Sequence, residues 1–156
     1  MRKIFTIDHL AHLSIQLKKE NKKIVLCHGC FDPLHIGHIW YFEEAKSYGD
    51  ILITTVTPDR FVGKGVNRPV FNDSLRVQMI SSLEIVNYTG VNEWPTAVET
   101  ILRINPDYYV KGPDYITLSD SKIKAELEAV EKTGGKMVFT TREKYSSTEL
   151  LSKLGN

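Results

Sequence analysis

Short runs of apolar and β-branched residues recur along this chain, and each gives way to a stretch with helical spacing. They are KIVLC (23–27), DILITTVT (50–57), a shorter run near Ile85–Tyr88, DYYVKG (107–112) and KMVFT (136–140). Between them, TIDHLAHLSIQLKKE (6–20) sets Leu10, Leu13 and Leu17 at helical spacing, with Asn21 as a stop. Residues 36–48 turn Ile39, Phe42 and Ala45 inward and Glu43, Glu44, Lys46 and Ser47 outward. Further helices are expected at 74–84, at Pro95–Asn105, after a cap at Ser119 or Asp120, and at SSTELLSKL (146–154). Gly134-Gly135 ends the helix that Ser119 or Asp120 begins. Strands alternating with helices predict an α/β fold, a parallel sheet of about five strands with helices on both faces. PDRFVGKGVNRPVFND (58–73), with two glycines and two prolines, reads as a long mobile loop.

At 156 residues the chain fits one domain, 1–156, in which 1–22 form an amphipathic helical extension. A formal charge of +1 gives no electrostatic reason for bulk nucleic-acid or membrane binding. No apolar run approaches the ~18 residues of a membrane span. The start, MRKIFTIDHLAHL, lacks the apolar core of a signal peptide, and the two cysteines fit a reduced, cytoplasmic setting.

In a parallel sheet, ligands sit beyond the carboxyl ends of the strands, where strand order reverses. The notable stretches 29–38, 57–65, 111–115 and 141–148 all follow a predicted strand, so they converge on one edge. The densest is CHGCFDPLHIGH (27–38). Cys27, Cys30, His35 and His38 are enough ligands for zinc, but four residues including Pro33 separate the second cysteine from the first histidine. Cys-x-x-Cys after a strand is a redox signal, yet Phe31, Asp32 and Pro33 separate it from the helix start, and Asp32 disfavours a thiolate. The third reading is a phosphate cradle. Its glycines let backbone approach a ligand, and His35 and His38 share one face of a helix's first turn, with Gly37 leaving room between them. The bland alternative is a pair of histidines that cap a helix. The full G-x-F-D-x-x-H-x-G-H arrangement favours phosphate.

GCFDPLHIGH (29–38) resembles the H-x-G-H signature of the nucleotidyltransferase superfamily with a Rossmann-like fold. The resemblance extends to KGVNRP, VKGPDY and GG followed by SSTELL, and covers nearly the whole chain. Its nearest members are the domain that adenylylates D-glycero-D-manno-heptose 1-phosphate and glycerol-3-phosphate cytidylyltransferase. The latter carries S-T-T where this chain has Ser146-Ser147-Thr148.

The resemblance implies in-line attack by a substrate phosphate on the α-phosphorus of a nucleoside triphosphate, with pyrophosphate leaving. The acceptor is a phosphorylated sugar or polyol. Such chemistry asks for alignment and for donors around a charged transition state. His35, His38 and Lys64 match the catalytic positions. Gly29, Cys30, Phe31, Asp32 and Gly37 match the nucleotide cradle, with Lys111, Gly112 and Asp114 on the base or ribose side. Ser146, Ser147 and Thr148 match a second phosphate-binding helix start, where N-capping is the plain alternative. Arg68, Arg76 and Arg142 match substrate-phosphate positions, and for Lys64 and Arg68 a solvated loop charge is the alternative. Mg²⁺ is implied as cofactor, carried by the triphosphate, with Asp32 either positioning it or capping its own turn. A homodimer is implied as well, with no nucleic-acid or membrane partner. ATP and CTP both stay open, as does the acceptor. A catalytically silent nucleotide-binding regulator is the rival from another class.

Overall fold

The computed structural model describes residues 3–113, 121–142 and 151–153. Five parallel strands form one sheet: β1 (Ile24–Gly29), β2 (Ile51–Val56), β3 (Tyr88–Val91), β4 (Tyr108–Lys111) and β5 (Lys136–Phe139). Their order is β3-β2-β1-β4-β5, so the chain winds outward from β1 in one direction and then from β4 in the other. The reversal lies between β1 and β4, whose registers pair Val25 with Tyr108 and Cys27 with Val110.

Alternation along β1 builds two cores. Ile24 and Leu26 meet Ile7 and Leu10 of α1 (Ile7–Lys19), Ile101 and Ile104 of α4 (Val98–Ile104), and Val130 of α5 (Ser121–Lys132). Val25 and Cys27 meet Phe42 and Ala45 of α2 (Ile36–Lys46) and Val77 and Ile80 of α3 (Asp73–Ser81). The amino-terminal helix is therefore a layer of the fold, with Ser14 Oγ donating to the Ile104 carbonyl at 2.7 Å. Thr6 caps α1, Asn72 caps α3, and Asn21, just beyond α1, takes a left-handed φ of 60°.

The structure moves two expected elements. The third strand is Tyr88–Val91 rather than Ile85–Tyr88. Asn87 carries the chain into the strand by donating its N–H to the Leu52 carbonyl and accepting from Leu52 N–H at 2.8 Å. Gly90 reads as a break by composition, yet it sits inside β3. A Cβ there would lie 2.5 Å from the Phe5 carbonyl oxygen, because residues 3–5 cross the strand's outer edge. The fourth helix starts at Val98 because Asn92 holds the preceding turn, donating from Nδ2 to the Trp94 and Thr96 carbonyls at 2.7 and 2.9 Å. Trp94 packs against the α1/α4/α5 core with Arg103 over its ring, as ordinary packing.

Candidate active site at the signature turn

The chain leaves β1 at Gly29 and turns sharply. Phe31 takes a left-handed φ of 52° and folds its ring back over Gly29, where a Cβ would meet the ring at 2.9 Å. That ring, buried against Phe42, presents an edge to His38 at 5.2 Å between centroids. The turn thus delivers the start of α2 to the β1/β4 switch point with both histidines on its first turn.

His35 is the N-cap of α2, and its Nδ1 accepts the Gly37 N–H at 3.1 Å. His38 Nδ1 accepts the His35 N–H at 3.3 Å. The two rings stack at 3.8 Å with 22° between planes. Each ring spends Nδ1 as an acceptor, so in the neutral form each carries its proton on Nε2 as a donor. Burial, then the neighbouring His35 and Lys64, push the His38 pKa down to about 3. Burial, then Lys64, also lower that of His35. Near pH 7 the pair is neutral. The capping role, posed in the sequence as the alternative to phosphate binding, uses Nδ1 of both rings and leaves Nε2 out of the cap.

Lys64 is exposed in the 62–67 segment, and its charge acts on His35, His38 and Cys30. Neither thiol is activated. Burial pushes Cys27 up to about 12, and burial raises Cys30 against the opposing pull of Lys64 and Arg76. Among the described residues no three His, Cys, Asp or Glu side chains converge as a metal cluster.

The loop after β2 is not mobile throughout. Asp32, fully buried, accepts the Val70 N–H at 2.7 Å, the Phe71 N–H at 2.9 Å and Arg68 Nε at 3.1 Å. Its backbone carbonyl accepts Arg68 Nη2. Burial alone would raise its pKa, but the Phe71 and Val70 amides and Arg68 outweigh that and hold it below the ordinary carboxylate value. Arg76 is fully buried. It donates to the carbonyls of Phe71 (2.9 Å), Cys30 (2.7 Å) and Thr57 (2.7 Å), and pairs with Asp59 at 2.7 Å. Arg68 and Arg76, expected at substrate-phosphate positions, are both engaged within the protein in this structure, Arg68 through Nε and Nη2 and Arg76 through its whole guanidinium.

The profile of the cytidylyltransferase-like family matches residues 26–153, most of the chain. The chain belongs to that family. Bifunctional protein HldE of Aliarcobacter butzleri is 39% identical over 150 residues, covering 94% of this chain and 32% of the relative. HldE of Geobacter metallireducens is 33% identical over 155 residues, covering 97% of this chain and 31% of the relative. The chain thus spans about a third of the length of these curated relatives. The crystal structure of the lipopolysaccharide core biosynthesis protein from Thermoplasma volcanium superposes with a TM-score of 0.65 at 27% identity, covering 79% of this chain and 99% of that one. As a cytidylyltransferase-like protein this chain is a nucleotidyltransferase by class, and the α/β Rossmann-like sheet expected from its sequence is the fold it has.

Lys111, expected on the base or ribose side, is the last residue of β4. It is 6% exposed and pairs with Glu126 at 3.4 Å, so β4 sends it into the α4/α5 layer. Glu126 spends its other oxygen on the Ala97 N–H at 3.1 Å, where α4 begins without a side-chain cap of its own. Gly112 lies just past β4, and among the described residues nothing stands within 4 Å of where its Cβ would be. Arg142 is exposed and pairs with Glu43 of α2 at 2.8 Å. Asp114, Ser146, Ser147 and Thr148, and the caps expected at Ser119 or Asp120, lie outside the described residues. No helix among the described residues is long and apolar enough to cross a membrane.

Two buried groups went unassigned in the sequence. His28, the penultimate residue of β1, has Nδ1 3.0 Å from Thr55 Oγ1 and Nε2 3.4 Å from Thr57 Oγ1. Burial, then Lys111, push its pKa down to about 3. Glu126 had a legible signal: it shares the inward spacing of Ile123, Ala129 and Val130 on α5, a carboxylate where an apolar residue belongs.

Proposed function

We propose that this chain transfers a nucleoside monophosphate from a nucleoside triphosphate to a phosphorylated sugar, as an adenylyltransferase of the ADP-heptose type. The observation that carries the reading is the stacked His35/His38 pair at the β1/β4 switch point, with both Nδ1 atoms engaged. Two Nε2–H donors on the first turn of α2, reinforced by that helix's amino-terminal field, suit the oxygens of an α-phosphate gathering charge. Neutral rings suit this task because they donate without first having to lose or gain a proton. Lys64, on the exposed side of the adjoining loop, supplies the positive charge that the imidazoles do not. The similarity to HldE over almost the whole chain favours a sugar-phosphate acceptor and an adenine nucleotide.

Magnesium is part of the proposal as an ion brought by the triphosphate, where it offsets charge on the departing pyrophosphate. Asp32 does not fit as its ligand in this arrangement, since both carboxylate oxygens are already engaged by Val70, Phe71 and Arg68. A homodimer and a cytoplasmic setting complete the reading; the two free cysteines agree with the latter.

The test is pyrophosphate release from ATP, CTP, GTP and UTP against heptose 1-phosphate, glycerol 3-phosphate and related acceptors. Release with ATP and a sugar 1-phosphate is expected. Release confined to CTP and a polyol phosphate moves the assignment to the cytidylyl branch, and none with any pair favours the silent regulator. His38→Ala should lower kcat by about 10²–10³, the cost of one lost transition-state donor, with a much smaller change in nucleotide affinity.

A further inference from the structure

The signature turn and the trailing half of the 58–73 loop are joined through two buried side chains. Asp32 receives the amides of Val70 and Phe71 and the guanidinium of Arg68. Arg76 ties the Phe71 carbonyl to the carbonyls of Cys30 and Thr57 and to Asp59. Both ends of 62–67 are therefore fastened to the turn that carries His35 and His38, while the segment itself is exposed at Gly63, Lys64, Gly65, Val66 and Asn67. Gly63 and Gly65 have nothing within 4 Å of a Cβ. The fastening leaves Lys64 at the centre of a six-residue span whose far anchor is the carboxylate two residues past Cys30.

We infer that Asp32 is a positioning residue: by clamping Arg68, Val70 and Phe71 it sets the hinge from which Lys64 reaches the His35/His38 pair. Asp32 itself touches no substrate. Its carboxylate can serve because two backbone N–H groups and a guanidinium satisfy it within the protein, so its charge stays buried without a ligand. A carboxylate is required in particular. Asn in its place offers one oxygen to two converging amide donors and turns an N–H₂ against the other.

The kinetic readout rests on the transfer reaction proposed above, and a second readout does not. In ligand-free protein, Asp32→Asn should speed protease nicking within 62–67 by about tenfold, since local opening governs cleavage there. In a cycle with Lys64→Ala, the double variant should keep kcat/KM within about twofold of Lys64→Ala alone, because a residue acting through another adds nothing once that other is gone. Losses that instead multiply, or nicking that stays at the wild-type rate, overturn the inference. A shifted Mg²⁺ requirement in Asp32→Asn overturns it as well, in favour of a metal ligand. Should Asp32→Asn not fold, Arg68→Ala keeps the carboxylate and its amide bonds; it must still raise nicking by about two- to threefold, and unchanged nicking overturns the hinge. If wild-type protein releases no pyrophosphate with any substrate pair, the transfer reading falls while the nicking comparison still decides the hinge.

Discussion

Residues 62–67 and residues 68–73 share one loop, yet they are held in opposite ways. The first group is exposed from 63 to 67, with Val66 91% open to solvent and, among the described residues, nothing within 4 Å of where a Cβ on Gly63 or Gly65 would stand. The second is laced to Asp32 and Arg76, and runs into the Asn72 cap that starts α3. Chain flexibility in this loop is set by which backbone groups have buried partners. Glycine and proline content runs the same way, since Gly63 and Gly65 lie in the open half and Pro69 in the held one. A phosphate-handling enzyme needs both: a tip free to close on a charged ligand, and a base stiff enough that closure returns Lys64 to one place.

The comparison breaks most readily at Arg76. Arg76→Ala leaves Asp59 and three part-buried carbonyls without that donor and should cost about 3 kcal/mol, whereas Lys64→Ala should leave the urea unfolding midpoint unchanged. Equal midpoints for the two variants would erase the distinction between tip and base. Acid provides the next contrast. His28 and His38 fall to about 3 in the folded chain against an ordinary 6.5, so below pH 6.5 the unfolded chain binds about two more protons. Stability from these groups is full above pH 6.5 and is lost as pH falls toward 3, at up to about 2.7 kcal/mol per pH unit. Urea titrations at steps between pH 7 and 5 should show it, and His28→Asn should roughly halve the slope; a slope unaffected by that change contradicts the buried, neutral state. The smallest effect sharpens the tip itself. Gly65 holds φ of +98° and Gly63 does not, so Gly65→Ala should cost about 1 kcal/mol while Gly63→Ala is neutral or slightly stabilising. Matching melting temperatures for the two would mean the tip does not keep this conformation.

Much of the fold was legible because its signals are local. The alternation of β-branched runs with amphipathic stretches marks each strand that pairs, and β1 and the signature turn fall where the sequence puts them. The departures come from long-range partners. The strand expected near Ile85–Tyr88 runs on through Gly90, where Phe5 is laid across it, and Pro95–Asn105 loses its first turn to the Asn92 side chain. At the site, the histidine pair was readable from three-residue spacing and the glycine between. The acidic partners of Arg68, Arg76 and Lys111 were not legible, for one common reason. A basic residue near a phosphate site and a basic residue satisfied by a buried acid have the same local sequence, and only the fold shows Asp32, Asp59 and Glu126 waiting for them. Composition signals charge but not its partner.

The bridge between Ile4 and Thr89 has a consequence beyond packing. By occupying the outward amide and carbonyl of Thr89 with Phe5 and Lys3, the leading segment seals one rim of the sheet against recruitment of a foreign strand. Trimming those few residues, or widening Gly90 to alanine, would expose a ready template for self-association, so solubility at high concentration depends on a stretch far from any chemistry.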